Sequence, residues 1–328
     1  MAIYMLSAKI IGRSSGGNAV AAAAYRSGEK LEGERYELDE DGKALRTAET
    51  FDYTRKGGVV ESLILAPEGA PEWTRDRATL WHTVETTERR KDSQLAREMI
   101  VSLPRELTLK ASAELVRDFV SRELVSRGMI ADVSIHNPMA SDGKSNPHAH
   151  ILLTMRDLSE DGSGFDKKRR DWNAAFGNTK GQGSKGGVTA SEGLQALRER
   201  WAQALNGKLA QAGVTERVSH LSNEAQGIDR EPQPKMGKHW HGSTELAPKV
   251  AQLRDEIRIE NSKRRYLASP VSAKRRSQAT TIAQNYALDW ELLNGLYGGQ
   301  TAEPPRHEWQ AHASPLEQGR EIEQGGDW

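Results

Sequence analysis

Asn146-Pro147-His148-Ala149-His150-Ile151-Leu152-Leu153-Thr154 places two histidines two residues apart, immediately before a short apolar run. An extended strand points residues i and i+2 to one face, so His148 and His150 project together while Ala149 points away. Two imidazoles side by side are the start of a metal site. A third candidate lies just upstream, at the end of the strand expected over Met129 to His136. Residues 137–147 form a loop rich in Asn, Pro, Ser, Asp and Gly, too short for a helical crossover. The strands on either side are therefore expected as antiparallel neighbours, which sets His136 beside His148 and His150.

Outward from this hairpin, the pattern alternates strands and helices. Ile3 to Ile11 alternates and reads as a strand, and Arg13 to Asn18 as a turn with Asn18 a helix N-cap. Ala19 to Lys30 follows as an alanine-rich helix. Residues 31–57 are polar, with Asp41-Gly42 as a turn signal. Val59 to Leu65 reads as a strand, Pro71 to Arg90 as a helix, and Ala96 to Leu103 as a strand stopped by Pro104. Thr108 caps a helix to about Arg127, which ends at Gly128, and Ile151 to Met155 completes a fifth strand. The expected class is α+β: a central antiparallel sheet of about five strands with flanking helices.

Beyond Met155 the character changes. Lys167-Lys168-Arg169-Arg170 is a basic run, and Gly177 to Gly187 is glycine-rich and expected to be mobile. Ser191 to Ala212 carries Leu194, Leu197, Trp201, Leu205 and Leu209 at helical spacing. From about Arg230 the chain is rich in Pro, Gln and charge. Helices are expected over Lys249 to Arg265 and Thr280 to Leu296, and disorder from Pro304.

Of the 328 residues, 36% are hydrophobic and 28% charged, so a core is expected in only part of the chain. Formal net charge is zero, and any nucleic-acid surface must come from local asymmetry. The chain has no cysteine, which excludes disulfides and thiolate metal sites and fits a reducing compartment. The opening Met1 to Lys9 is too short an apolar stretch for a signal peptide, and no segment approaches the ~20 apolar residues of a membrane span. A soluble cytoplasmic protein with no membrane insertion is expected.

Three neutral imidazoles would leave a divalent ion its full charge and open coordination positions, as a catalytic ion on a phosphate oxygen requires. The competing readings are satisfied strand-end histidines or a structural zinc. His82, His220, His307 and His312 lack such convergence, and His239-Trp240-His241 sits in a polar stretch with no strand to orient it. Tyr25 lies among small side chains in Ala19-Val20-Ala21-Ala22-Ala23-Ala24-Tyr25-Arg26, which permit close approach to a sheet or a DNA backbone. A phenol is protonated near neutral pH and needs a base or a stabilised charge to attack phosphorus. The alternative is an ordinary half-buried tyrosine.

Taken in order, these residues resemble the MobA/MobL family of plasmid mobilisation relaxases, which are HUH endonucleases. The match is carried by Ala2-Ile3-Tyr4-x-Leu6-Ser7-x-Lys9, Ser14-x-Gly16, Ala24-Tyr25, Arg97-Glu98-x-x-x-x-Leu103-Pro104, Ile135-His136 and Asn146-Pro147-His148-Ala149-His150. Leu197-Arg198-Glu199-x-Trp201-Ala202 and Glu224-Ala225-Gln226-Gly227-Ile228 fit as well. The resemblance covers residues 1–235, implied to form the relaxase (nickase) domain with the HUH fold. Residues 236–328 are left as a helical, low-complexity, partly disordered C-terminal region with a partner or secretion role.

The resemblance implies a mechanism and partners. A divalent ion on His136, His148 and His150 polarises the scissile phosphate at a plasmid transfer origin (oriT). Mn²⁺ or Mg²⁺ is implied, with Zn²⁺ left open. Tyr25 attacks in line and stays joined to the 5′ end, releasing a 3′-hydroxyl. Glu98 either orients a ligand histidine or acts as a base, unless it is an exposed strand-end charge. Implied partners are single-stranded and supercoiled oriT DNA, relaxosome accessory proteins and a type IV secretion coupling protein, with translocation alongside the DNA. Arg13, Arg26, Lys167, Lys168, Arg169 and Arg170 are the candidates for DNA phosphates, with the Gly16-Gly17 turn and the following helix N-terminus as a phosphate nest. A solvated loop is the competing reading of the basic run, and Trp172 either stacks a base or packs in the core.

Two other functions stay open. A rolling-circle replication initiator or transposase of the HUH type would use the same histidines, but usually with its tyrosine after them. Tyr36 or Tyr53 could replace Tyr25 in principle. A non-catalytic DNA-binding accessory with structural zinc would unfold on metal removal. No Gly-x-x-x-x-Gly-Lys-Ser/Thr motif is present, so an attached motor helicase is not expected.

Overall fold

The computed structural model describes residues 4–38, 44–140, 143–169, 190–231, 246–268 and 274. Elements run β1 (Leu6–Gly12), α1 (Ala19–Ser27), β2 (Lys30–Leu38), β3 (Ala44–Asp52), β4 (Val59–Leu65), α2 (Arg77–Thr87), β5 (Gln94–Ser102), α3 (Leu109–Glu123), β6 (Ala131–His136), β7 (His148–Leu153), β8 (Arg156–Leu158), β9 (Phe165–Lys168), α4 (Ala190–Gln211) and α5 (Leu246–Leu267). The Asp41-Gly42 turn, the glycine-rich stretch, Arg170, Trp172, the second C-terminal helix and the end from Pro304 lie outside the described residues.

Five strands form one sheet in the order β1-β5-β7-β6-β4, and every pairing is antiparallel. The strands sit where alternation and turn residues place them. β7 is central, flanked by β5 and β6. Its neighbours are in direct register: Ser102, His148 and His136 form one row, and Ile100, His150 and Ser134 the next row on the same face.

The opposite face carries Val101, Ala149 and Ile135, then Met99, Ile151 and Val133. It is covered by Val116, Phe119 and Val120 of α3 and by Leu197, Trp201, Leu205 and Leu209 of α4. Phe119 and Trp201 meet edge to face at 4.9 Å. Each large side chain buried there contributes about 1.5–3 kcal/mol. The periodic apolar stripe on α4 is thus the stripe that packs.

On the histidine face, α1 and α2 lie over Ile11, Ala96 and Leu152 through Val20, Ala23, Leu80, Trp81 and Val84. Each helix begins with a side-chain cap: Asn18 accepts from the Ala21 amide and Asp76 from the Thr79 amide. α1 ends at Ser27 because Gly28 adopts the left-handed conformation, at φ 71°.

Two hairpins add to this frame. β2 and β3 pair over their full length in the stretch read from sequence only as polar. Gly33 lies against Val20, where an added Cβ would meet the valine side chain at 3.0 Å, so the arm seats directly on α1. β8 and β9 form a short hairpin that converts part of the basic run into strand.

The chain divides into two compact units, Met1–Ser222 and Asn223–Trp328. In the second unit, the Asn261 side chain on α5 pairs with both the backbone N–H and the C=O of Glu231, and Arg264 pairs with Asp229. No helix among the described residues is long and apolar enough to cross a membrane.

Candidate metal centre

The central three strands bring the predicted site residues together. His136 comes from β6, His148 and His150 from β7 and Glu98 from β5, all on the α1 face. The histidine ring centroids are 4.8–5.3 Å apart. Three ligand nitrogens, one per ring, lie within 4.8 Å of one another.

Each ring has one nitrogen committed to an acceptor, which settles where its lone pair is. His148 Nδ1 donates to the Asn146 carbonyl at 2.7 Å, and His150 Nδ1 donates to Glu98 Oε1 at 2.7 Å, so both Nε2 atoms are free to ligate. His136 Nε2 donates to the Arg26 carbonyl at 2.6 Å, which leaves its Nδ1. Two nitrogens bound to one ion at about 2.1 Å and a tetrahedral angle stand about 3.4 Å apart, so the rings need to close by about an ångström. The donor set fits a divalent ion.

Burial holds the His136 imidazole down to about 4, against the Arg26 carbonyl, while Lys56, His150 and His148 push the same way as burial. Burial also lowers His148, opposed by the Asn146 carbonyl. Both are neutral near pH 7, the form that binds metal.

Glu98 is fully buried and takes four contacts from three partners. Arg26 grips it with two bonds of 2.6 Å, His150 Nδ1 lies at 2.7 Å, and Lys9 Nζ at 2.7 Å. Burial alone would raise this carboxyl. Hydrogen bonds from His150 and Arg26, the Arg26 charge and Lys9 together hold it well below the usual carboxylate range. Glu98 is therefore an ionised strut that fixes His150, not an exposed strand-end charge.

Tyr25 sits in the last turn of α1 and is 46% exposed. Its neighbour Arg26 reaches His136 through its carbonyl and Glu98 through its side chain, so the tyrosine-bearing turn is bonded to the histidine cluster. Tyr53 packs edge-on against Tyr25 at 5.2 Å. Tyr36 instead lies under the Arg13 guanidinium, 4.3 Å away.

The other basic candidates are distributed differently. Arg13 is buried: it pairs with the Glu85 carboxylate and donates to the carbonyls of Glu85, Glu88 and Arg90. With its donors so engaged, it clamps the fold rather than presenting itself to a phosphate. The expected nest at the α1 N-terminus is likewise filled from within, since Glu85 Oε2 accepts from the Ala19 amide at 2.8 Å. Lys168 pairs with Glu88 and Arg169 with Asp157, while Lys167 is exposed on β9.

Glu85, Glu88 and Lys56 were not singled out from sequence. Each lies in a charged or polar stretch with nothing local to mark it, and only the fold supplies its partner.

Fold and site together define a protein with a histidine triad on a five-stranded antiparallel sheet and a tyrosine helix bonded to it. The chain belongs to the MobA/MobL family, whose model matches residues 17–244. It is similar to the conjugal transfer protein TraA of Agrobacterium fabrum, 34% identical over 82% of this chain and 25% of that protein. It is also similar to the mobilization protein MobL of Acidithiobacillus ferridurans, 33% identical over 80% of this chain and 69% of that protein. A solved structure concerned with the molecular basis of vancomycin resistance transfer in Staphylococcus aureus aligns with TM-score 0.53 and 30% identity, over 67% of this chain and all of that one. The chain spans about a quarter of the length of the TraA relatives it matches.

Proposed function

We propose that residues 1–235 form a relaxase domain that nicks and rejoins one strand of plasmid DNA at a transfer origin, starting conjugative mobilisation. The observation that carries this reading is the hydrogen bond from His136 to the Arg26 carbonyl, which ties the Tyr25 turn to the three histidines. The family match and the relatives named for conjugal transfer and mobilisation support it over a replication initiator.

The Tyr25 phenol gives up its proton and its oxygen bonds to phosphorus. The bond from phosphorus to the 3′-oxygen breaks, and that oxygen takes up a proton as the free 3′-hydroxyl. The 5′-phosphate remains on Tyr25, and the reverse attack reseals the strand. A divalent ion held by His136, His148 and His150 would supply charge stabilisation at a scissile-phosphate oxygen. Glu98 orients His150, and Arg26 locks Glu98 in place. Lys167, exposed on β9, offers a contact to the single strand. Residues 236–328 then serve accessory proteins of the transfer complex or a secretion coupling protein, and the protein acts in the cytoplasm and travels with the DNA.

The test is incubation with single-stranded transfer-origin oligonucleotides and Mn²⁺ or Mg²⁺, followed by mass mapping of DNA-linked peptides. Wild type should give an adduct on Tyr25 and Tyr25→Phe none, with DNA binding intact. An adduct surviving denaturation in Tyr25→Phe refutes the assignment. Chelation should stop cleavage and leave the circular dichroism spectrum unchanged; unfolding on chelation would favour a structural zinc.

A further inference from the structure

Besides the histidine cluster, one cation lies directly on the proposed nucleophile. We propose that Lys56 is a positioning residue for strand cleavage, its ammonium fixing the Tyr25 ring and stabilising negative charge that develops on the phenol. This inference rests on Tyr25 being the nucleophile.

The geometry is specific. Lys56 Nζ donates to the Tyr25 carbonyl at 2.6 Å and stands 3.7 Å from the centroid of the Tyr25 ring. Tyr53 closes another side of the ring edge-on. A cation over an aromatic face is attracted to the neutral ring, and more strongly once the ring's oxygen becomes anionic. Only such a difference between ground and transition state accelerates a reaction.

The turn that carries Lys56 is anchored at both ends. The Lys56 amide donates to the Tyr53 carbonyl at 2.9 Å. Gly58, at φ 85°, presents its carbonyl to the Asn137 amide at 2.7 Å, next to His136 in sequence. An added Cβ at Gly58 would meet Pro138 at 3.3 Å. The ammonium is thus placed relative to both the tyrosine helix and the strand that bears His136.

The charged and titratable groups around it are Tyr25 and Arg26 of α1, Glu98 of β5, His136 of β6 and His148 of β7. Burial and Arg26 bring the ammonium down to about 8, and Glu98 opposes them. Lys56 is therefore charged near neutrality and loses that charge as pH rises through about 8. Its contribution should be present below that pH and fade above it.

The experiment compares wild type, Lys56→Met and Lys56→Arg in single-turnover cleavage of a transfer-origin oligonucleotide with Mn²⁺ across a pH series. Lys56→Met should cut on the order of tenfold more slowly near neutral pH, with oligonucleotide affinity unchanged, and converge with wild type at alkaline pH. Lys56→Arg should keep most of the rate. A second readout needs no DNA: nitration of Tyr25 by tetranitromethane, a reagent that attacks phenolates, should slow in Lys56→Met when followed by peptide mass. Wild-type rates in Lys56→Met, a loss equal at every pH, a matching loss of oligonucleotide affinity, or unchanged nitration would each overturn the proposal. If wild type forms no Tyr25 adduct, the nicking reading itself fails. If the adduct forms and Lys56→Met behaves as wild type, only the role of Lys56 fails.

Discussion

The two faces of the sheet bury different things. Against α3 and α4, Met99, Val101, Ile135, Ile151, Phe119 and Trp201 make a nearly continuous apolar layer, with Arg97 as a buried charge among its sheet residues. Against α1 and α2, apolar packing is interrupted by three buried ionic groups. These are Arg13 with Glu85, Arg77 with Asp132, and Arg26 with Glu98 and His150. Apolar layers stabilise through area and tolerate volume-conserving swaps. Buried ion pairs barely offset their own desolvation, and losing one partner leaves an unpaired charge in the interior. Both faces therefore hold the fold, but only the second also uses a buried ionic group, Arg26 with Glu98 and His150, to fix side chains where chemistry is proposed.

Four experiments press on that comparison. The largest effect is expected for Glu98→Ala, which strands Arg26 and releases His150. Denaturant titration should show a loss of about 3–5 kcal/mol, and metal titration a drop in affinity of about 10- to 100-fold. If stability falls but metal affinity holds, Glu98 does not orient His150. Phe119→Ala on the opposite face should cost about 3–5 kcal/mol with metal affinity unchanged; a coupled loss of metal binding would mean the faces are not independent.

Acidity should separate the faces more gently. In metal-free protein the folded His136 takes a proton only near about 4, whereas an unfolded imidazole does so near about 6.5. Between those values the unfolded chain binds more protons, so stability is present above the upper value and declines as pH falls toward the lower. Urea midpoints at stepped pH should show this decline, and His136→Asn should flatten it. The smallest effect is expected for Asn18→Ala. It removes the α1 cap and the bond from Asn18 Nδ2 to the Glu34 carbonyl, for about 1 kcal/mol by thermal melting.

Much of this architecture was legible in the sequence. The five strands announce themselves by alternation and by their turns, and two helix starts by the caps Asn18 and Thr108; the helix expected from Pro71 instead starts after the cap Asp76. The β2–β3 arm was not, because it buries little: Leu31 and Phe51 are its inward apolar anchors, and Arg35 with Glu49 pair on its surface. A hairpin whose inward face is two apolar residues and Gly33 leaves almost no hydrophobic period to read. Arg13 misleads for a related reason. An arginine beside a glycine turn suggests a phosphate contact, and nothing local reveals that Glu85 waits 72 residues on.

The sequence by itself determined the antiparallel β6–β7 hairpin. An eleven-residue turn-rich loop allows no crossover, and a two-residue strand period puts His148 and His150 on one face. Only the tertiary structure decided what stands around them. Strand order places β5 on the other side of β7, which carries Glu98 to His150. The packing of α1 then brings Arg26 and Tyr25 to the same end of the sheet and places Lys56 on the tyrosine ring. Hydrophobic periodicity specifies elements because it is local. Charge pairing between distant segments is specified by the fold, because any acidic residue could have served any basic one until the strands were ordered.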